Sequence, residues 1–141
     1  MGERKRAGIT RERADRVLTA IVREAEAINA DPHMLHSVVK LSVFGSYLGD
    51  KLSLGDLDVA YAVATRVIGS GIDERTRAFA EAYPPPRSVA RNWFQRMLWP
   101  EAYLARRLKV ARGISLHEHA ELDSEGYPHR VIFEGNQRVD F

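Results

Sequence analysis

The stretch FGSYLGDKLSLGDLDVAYAV, residues 44–63, decides how this chain is read. A Gly-Ser pair, Gly45-Ser46, closes an apolar run, and nine residues separate Ser46 from Asp56. Asp56-Leu57-Asp58-Val59 then alternates acid with aliphatic before the chain turns apolar again. Such alternation marks a strand, whose successive side chains point to opposite faces. Leu57, Val59 and Tyr61 share one face, and Asp56 and Asp58 share the other.

Two carboxylates on one face repel each other, and beside a core they also lose hydration. A divalent cation removes both penalties. Magnesium is commonly held by one or two carboxylates together with substrate phosphates. Gly45 lets a phosphate approach the backbone. The N–H groups at the start of segment 46–51 and the Ser46 hydroxyl supply donors to it, aided by a helix N-terminus if one forms there. The pattern therefore points to metal-assisted phosphoryl or nucleotidyl transfer.

Outward from this stretch, Thr10 caps a helix whose apolar stripe is Ala14, Val17, Leu18, Ile21, Val22, Ala25 and Ile28, and residues 29–32 end it. Residues 38–44 read as a buried strand, 46–55 as a compact connection and 57–67 as a second strand, ended by Gly69 and Gly71. Residues 73–82 read as a helix stopped by Pro84, Pro85 and Pro86. Ser88 is expected to cap another helix, with Val89, Trp93, Met97 and Leu98 on its apolar side. Pro100 is expected to break or kink it. Helical spacing resumes through Leu104, Leu108 and Ala111 up to Gly113. Residues 114–122 read as a strand, 123–128 as a turn and 129–133 as a short strand. This order predicts an α/β (α+β) fold, with helices on at least one face of a small mixed or antiparallel sheet.

The 141 residues suit a single domain, and 45% hydrophobic with 28% charged residues is ordinary for a packed core. There is no cysteine, which excludes disulfides and Cys-based zinc sites. No apolar run approaches the roughly 18 residues of a membrane span. The charged start, MGERKRAGITRERADR, has no apolar region behind it, so the expected location is cytoplasmic, without membrane attachment. Net charge is +2, yet Arg4, Lys5, Arg6, Arg11, Arg13 and Arg16 crowd the start, and further arginines follow from Arg87 to Arg112. Such clusters can meet phosphates, although a solvated helix face is the default reading. Trp93, Phe94, Trp99 and Tyr103 read as core rather than as a base-stacking platform.

Phe44, Gly45, Ser46, Asp56, Leu57, Asp58 and Val59, in this order and spacing, resemble the signature of the nucleotidyltransferase superfamily that includes DNA polymerase β. The likeness is to its small, single-domain minimal nucleotidyltransferases, and it is sharp over residues 38–63. The resemblance implies a polymerase-β-like fold and transfer of a nucleoside monophosphate from an NTP to an acceptor hydroxyl. It implies that Asp56 and Asp58 hold two Mg2+ (or Mn2+) ions and that Gly45 and Ser46 hold the triphosphate. It leaves the acceptor open, a partner protein, an RNA or a small molecule, and leaves self-association open as well.

Active members of that superfamily carry a third carboxylate on a later strand. In GISLHEHAELD, residues 113–123, Ser115, His117, His119 and Glu121 are expected on the face toward the site. Glu121, flanked by Ala120 and Leu122, is the expected third metal ligand and base, with Glu118 ranked second. Ser115 and His117 are better centred in the strand. If either takes the acidic position, the third carboxylate is missing, and His117 or His119 can substitute as base or ligand. The alternative function is then a catalytically degenerate domain that binds a nucleotide or a partner. A basic nucleic-acid-binding module is a further rival, but no base-reading motif supports it.

Overall fold

The computed structural model describes residues 8–66 and 69–140. Its first element is a two-residue strand, β1 (Ile9–Thr10), which leads directly into α1 (Arg11–Ala30). Thr10 is extended, and its side chain accepts from the Arg13 N–H at 3.1 Å, satisfying one of the donors that a helix start leaves open. All seven positions of the expected stripe, from Ala14 to Ile28, are buried. Asp31 ends the helix.

The chain then forms β2 (His36–Phe44), a single 3-10 turn over Gly45–Leu48, β3 (Ser53–Leu54) and β4 (Leu57–Thr65). Three helices follow, α2 (Ile72–Ala82), α3 (Arg87–Ala90) and α4 (Trp93–Leu108). The last elements are β5 (Ile114–Glu118), α5 (His119–Glu125), β6 (His129–Glu134) and β7 (Gln137–Arg138). The main sheet has the order β5-β4-β2-β6-β7. Its β4–β5 pair is parallel and the rest are antiparallel, so the fold is α+β with a mixed sheet. β1 pairs with β3 in a second, two-stranded sheet.

One face of the main sheet makes the core. Leu41, Val43, Leu57, Val59, Ile114 and Ile132 pack there with the α1 stripe and with Leu104 and Leu108 of α4. The other face is covered in part by α5, through a small cluster of Phe44, Ala60 and Leu122. Leu57, Val59 and Tyr61 do face the core, as the alternation predicts, which leaves Asp58 on the opposite face.

Four expectations need correction, and a fifth falls outside view. The strand expected over 114–122 ends at Glu118, and residues 119–125 are helical. Ala, Leu and Glu favour a helix there, and Gly126, at φ 68°, supplies its left-handed stop. Asn92, not Ser88, caps the long helix, accepting from the Gln95 N–H at 3.1 Å. Of the break or kink expected at Pro100, the break does not occur, since α4 runs through it. The proline is buried, and the neighbouring Trp99 indole donates to the Tyr83 carbonyl at 2.8 Å, so tertiary packing offsets the proline penalty. Trp99 is buried as expected and Tyr103 packs against the core, but Trp93 and Phe94 are 66% and 60% exposed. The expected strand end at Val67 and the basic residues Arg4, Lys5 and Arg6 lie outside the described residues.

Two arginines lock the layers together. Arg11 reaches from the start of α1 to three carbonyls of the connection after the Gly-Ser pair: Tyr47 at 2.9 Å, Gly49 at 2.7 Å and Lys51 at 2.8 Å. Arg66, just past β4, gathers the carbonyls at and beyond the end of α1. It donates to Ile28 (2.9 Å), Asn29 (3.0 Å), Asp31 (2.6 Å) and Met34 (3.2 Å), and to the Ser37 hydroxyl (2.7 Å). Among the described residues, no helix is long and apolar enough to cross a membrane.

Candidate active site

The strand register builds the site around Asp58. Antiparallel pairing sets Phe44 of β2 opposite Asp58, and parallel pairing sets Ser115 of β5 on its other side. Cross-strand neighbours share a face, so all three side chains emerge together. His117, two residues on from Ser115, shares that face too.

Gly45 has φ 72°, in the left-handed region where a Cβ is strained. A Cβ there would also collide with the Asp58 Oδ2. The glycine is thus needed twice, for the turn and for the carboxylate that lies against it. Ser46 follows in the 3-10 turn, exposed, with its carbonyl accepting from the Gly49 N–H at 3.2 Å.

Asp58 is about 28% exposed at its side chain. Burial pushes its carboxyl above the ordinary carboxylate range. His117 and a hydrogen bond from the Ser115 hydroxyl pull it back, and the neighbouring Asp56 charge pushes it up again, with a net rise. Asp56 and Asp58 are therefore close enough to repel, as the alternating pattern implies. Asp56 itself is exposed, just before β4, and lines a cleft of about 620 Å³ with Arg13, Lys109 and Arg112. On the Gly45 side lies a second, apolar cavity of about 510 Å³, walled by Phe44, Leu48, Tyr127 and Pro128.

A polar relay runs outward from Asp58. Its Oδ1 is 3.8 Å from the His117 Nε2, which lies 2.9 Å from the Ser115 Oγ. The His117 Nδ1 is 3.3 Å from the Glu121 Oε2. The Phe44 ring meets His117 edge-on, with centroids 5.1 Å apart. Glu121 thus lies on α5 rather than on a strand, and its carboxylate meets His117. The strand positions beside Asp58 are Ser115 and His117. Among the described residues, no group of three or more acidic or histidine side chains is arranged to hold a metal ion.

His119 is a separate matter. Its Nε2 lies 3.0 Å from the Ser42 Oγ and its Nδ1 3.3 Å from the Asp123 Oδ2. Ser42 is fully buried and His119 nearly so. No substrate reaches such a hydroxyl, and the trio pins α5 to the sheet.

Sequence reasoning did not single out Arg13, Lys109 and Arg112 from their clusters, because only the fold brings the start of α1 beside the end of α4. Tyr127 carried no signal, being one aromatic in a turn. No protein-family model, no curated protein and no solved structure matches this chain.

Proposed function

We propose that this chain is a polymerase-β-like nucleotidyltransferase domain that moves a nucleoside monophosphate from an NTP to an acceptor hydroxyl. The observation that carries the reading is the packing of Asp58 against Gly45 with Asp56 close enough to raise its pKa. It is the arrangement that the Gly-Ser and Asp-x-Asp spacing calls for.

The donor set suits a magnesium ion that arrives on a triphosphate. Asp56 and Asp58 offer hard oxygens that repel each other, and such ions keep waters and phosphate oxygens as their remaining ligands. A bound ion supplies neutralisation of phosphate charge. Arg13, Lys109 and Arg112 attract the polyphosphate to the cleft that Asp56 lines. The apolar cavity beside Gly45 excludes water from one side of the site. His117, aligned by Glu121 and set beside Asp58, occupies the place of the third carboxylate and takes the acceptor proton. In this reading Glu121 positions His117.

The same observation favours one other reading. A histidine and a serine where a third acid is expected suit a domain that binds NTP without turnover. Labelled NTPs, magnesium or manganese, and cellular RNA and protein as acceptors separate the two. Transfer that is lost in Asp56→Asn and Asp58→Asn, and reduced in His117→Gln, supports the enzyme. A magnesium-dependent melting shift with NTP, lost in the double Asp→Asn variant but without transfer, supports the binding domain. With neither transfer nor shift, the proposal fails.

A further inference from the structure

The apolar stripe of α4 is continuous but only half used. Trp93, Met97, Leu104 and Leu108 are spaced by four, seven and four residues and lie along one face of the helix. Leu104 and Leu108 are fully buried in the core, whereas Trp93 is 66% and Met97 58% exposed. Phe94 and Leu98, beside them, are 60% and 48% exposed. The helix overhangs its own domain by about two turns, presenting four large apolar side chains in one patch. Patches of that kind mark interaction sites.

The surrounding charge defines the occupant. From Tyr83 to Pro100 the sequence holds Arg87, Arg91 and Arg96 and no acidic residue. All three arginines are exposed. A second copy of this chain docking by two-fold symmetry would bring three guanidiniums from each side onto one interface, and like charges there are costly. An anionic lipid surface is a poorer fit. The lower half of the stripe is committed to the core, leaving about 9 Å of helix to lie on a bilayer. Trp, Phe and Met among arginines is instead the composition of protein interface centres, where lysine is scarce. Arginine forks also match carboxylates in a bidentate way.

We infer that the exposed start of α4 is the docking surface for a partner polypeptide: an acidic, amphipathic segment whose apolar anchors cover Trp93, Phe94, Met97 and Leu98 while its Asp or Glu side chains meet Arg87, Arg91 and Arg96. The patch lies about 17 to 24 Å along the helix from Lys109, which lines the basic cleft, so the partner leaves that cleft open.

The test is selection of a displayed library of random peptides about 16 residues long against the intact chain. The expected winners carry acidic residues interleaved with apolar ones at helical spacing and shift Trp fluorescence to shorter wavelength. Their binding weakens about tenfold or more in Trp93→Ser with Met97→Ser, and again in Arg91→Glu with Arg96→Glu, while circular dichroism is unchanged because these side chains are exposed. Lysine counterparts of the same peptides do not bind. Winners without acidic residues, winners indifferent to both variants, or no winners at all overturn the inference. So does the same fluorescence shift with anionic vesicles alone, or self-association in sedimentation that Trp93→Ser abolishes.

Discussion

The two ends of β4 handle charge in opposite ways. Beyond its last residue, Arg66 spends its guanidinium on four backbone carbonyls and a hydroxyl. Nearby Asp31 is bonded by Tyr83, by the His33 N–H and by Arg107, itself paired to Glu24 at 2.7 Å. Burial pushes the Asp31 carboxyl up, but those bonds outweigh it and leave it below the ordinary range. Tyr83 is pushed up to about 12 by its hydrogen bond to Asp31. At the other end, Asp58 is partly buried with one serine, one histidine at 3.8 Å and a second carboxylate nearby, and its carboxyl is pushed up. A compensated charge builds the fold, and an undercompensated one marks a candidate site.

The sharpest way to break this contrast is Arg66→Ala. It removes the guanidinium from four part-buried carbonyls, of which Ile28 and Asp31 keep a backbone donor, and is expected to cost about 3 kcal/mol in urea unfolding. Gly45→Ala comes next, at about 2 kcal/mol, from the left-handed backbone and the collision with Asp58. Combining it with Asp58→Ala should recover the collision but not the backbone part, which separates the two causes.

Asp31→Asn is expected to cost about 1–2 kcal/mol near pH 7. Because the folded value of Asp31 is lowered, its contribution is complete above the ordinary value near 4 and is lost as pH falls through the folded value. Wild type and variant should therefore converge in acid. Asp58→Asn is the smallest change and has the opposite sign. With the folded value raised, ionisation weighs against folding as pH rises above about 4. The variant should melt roughly 2 °C higher at neutral pH, with no gain in acid, while losing magnesium-dependent NTP binding. A lower melting point at neutral pH would erase the distinction between the two ends.

Much of this arrangement was legible in the residues. The α1 stripe, its Thr10 cap and the division of Leu57, Val59 and Tyr61 from Asp58 follow from period and capping chemistry alone. The site's later half was not. Residues 114–122 alternate well enough to read as one strand, and only the register, Leu57 opposite Ile114, shows which side chains meet Asp58. Trp93 and Phe94 misled for a related reason. Composition says that aromatics seek a core, but it does not say where a helix outruns the sheet beneath it. Arg66 gave no local sign of its five bonds, since their acceptors lie far from it in sequence.

The parallel β4–β5 pair also bears on the order of assembly. β2 and β4 are joined by a short connection and pair antiparallel, so they can meet early. β5 joins β4 only after α2, α3 and α4 have been traversed, and β6 joins β2 across a still longer stretch of chain, so both are slow, long-range closures of the sheet. Ser115 and His117 ride on one of these late strands. A partly folded chain, or one still emerging during synthesis, would then hold Asp58 beside Gly45 but lack its histidine, so the site is complete only when folding is.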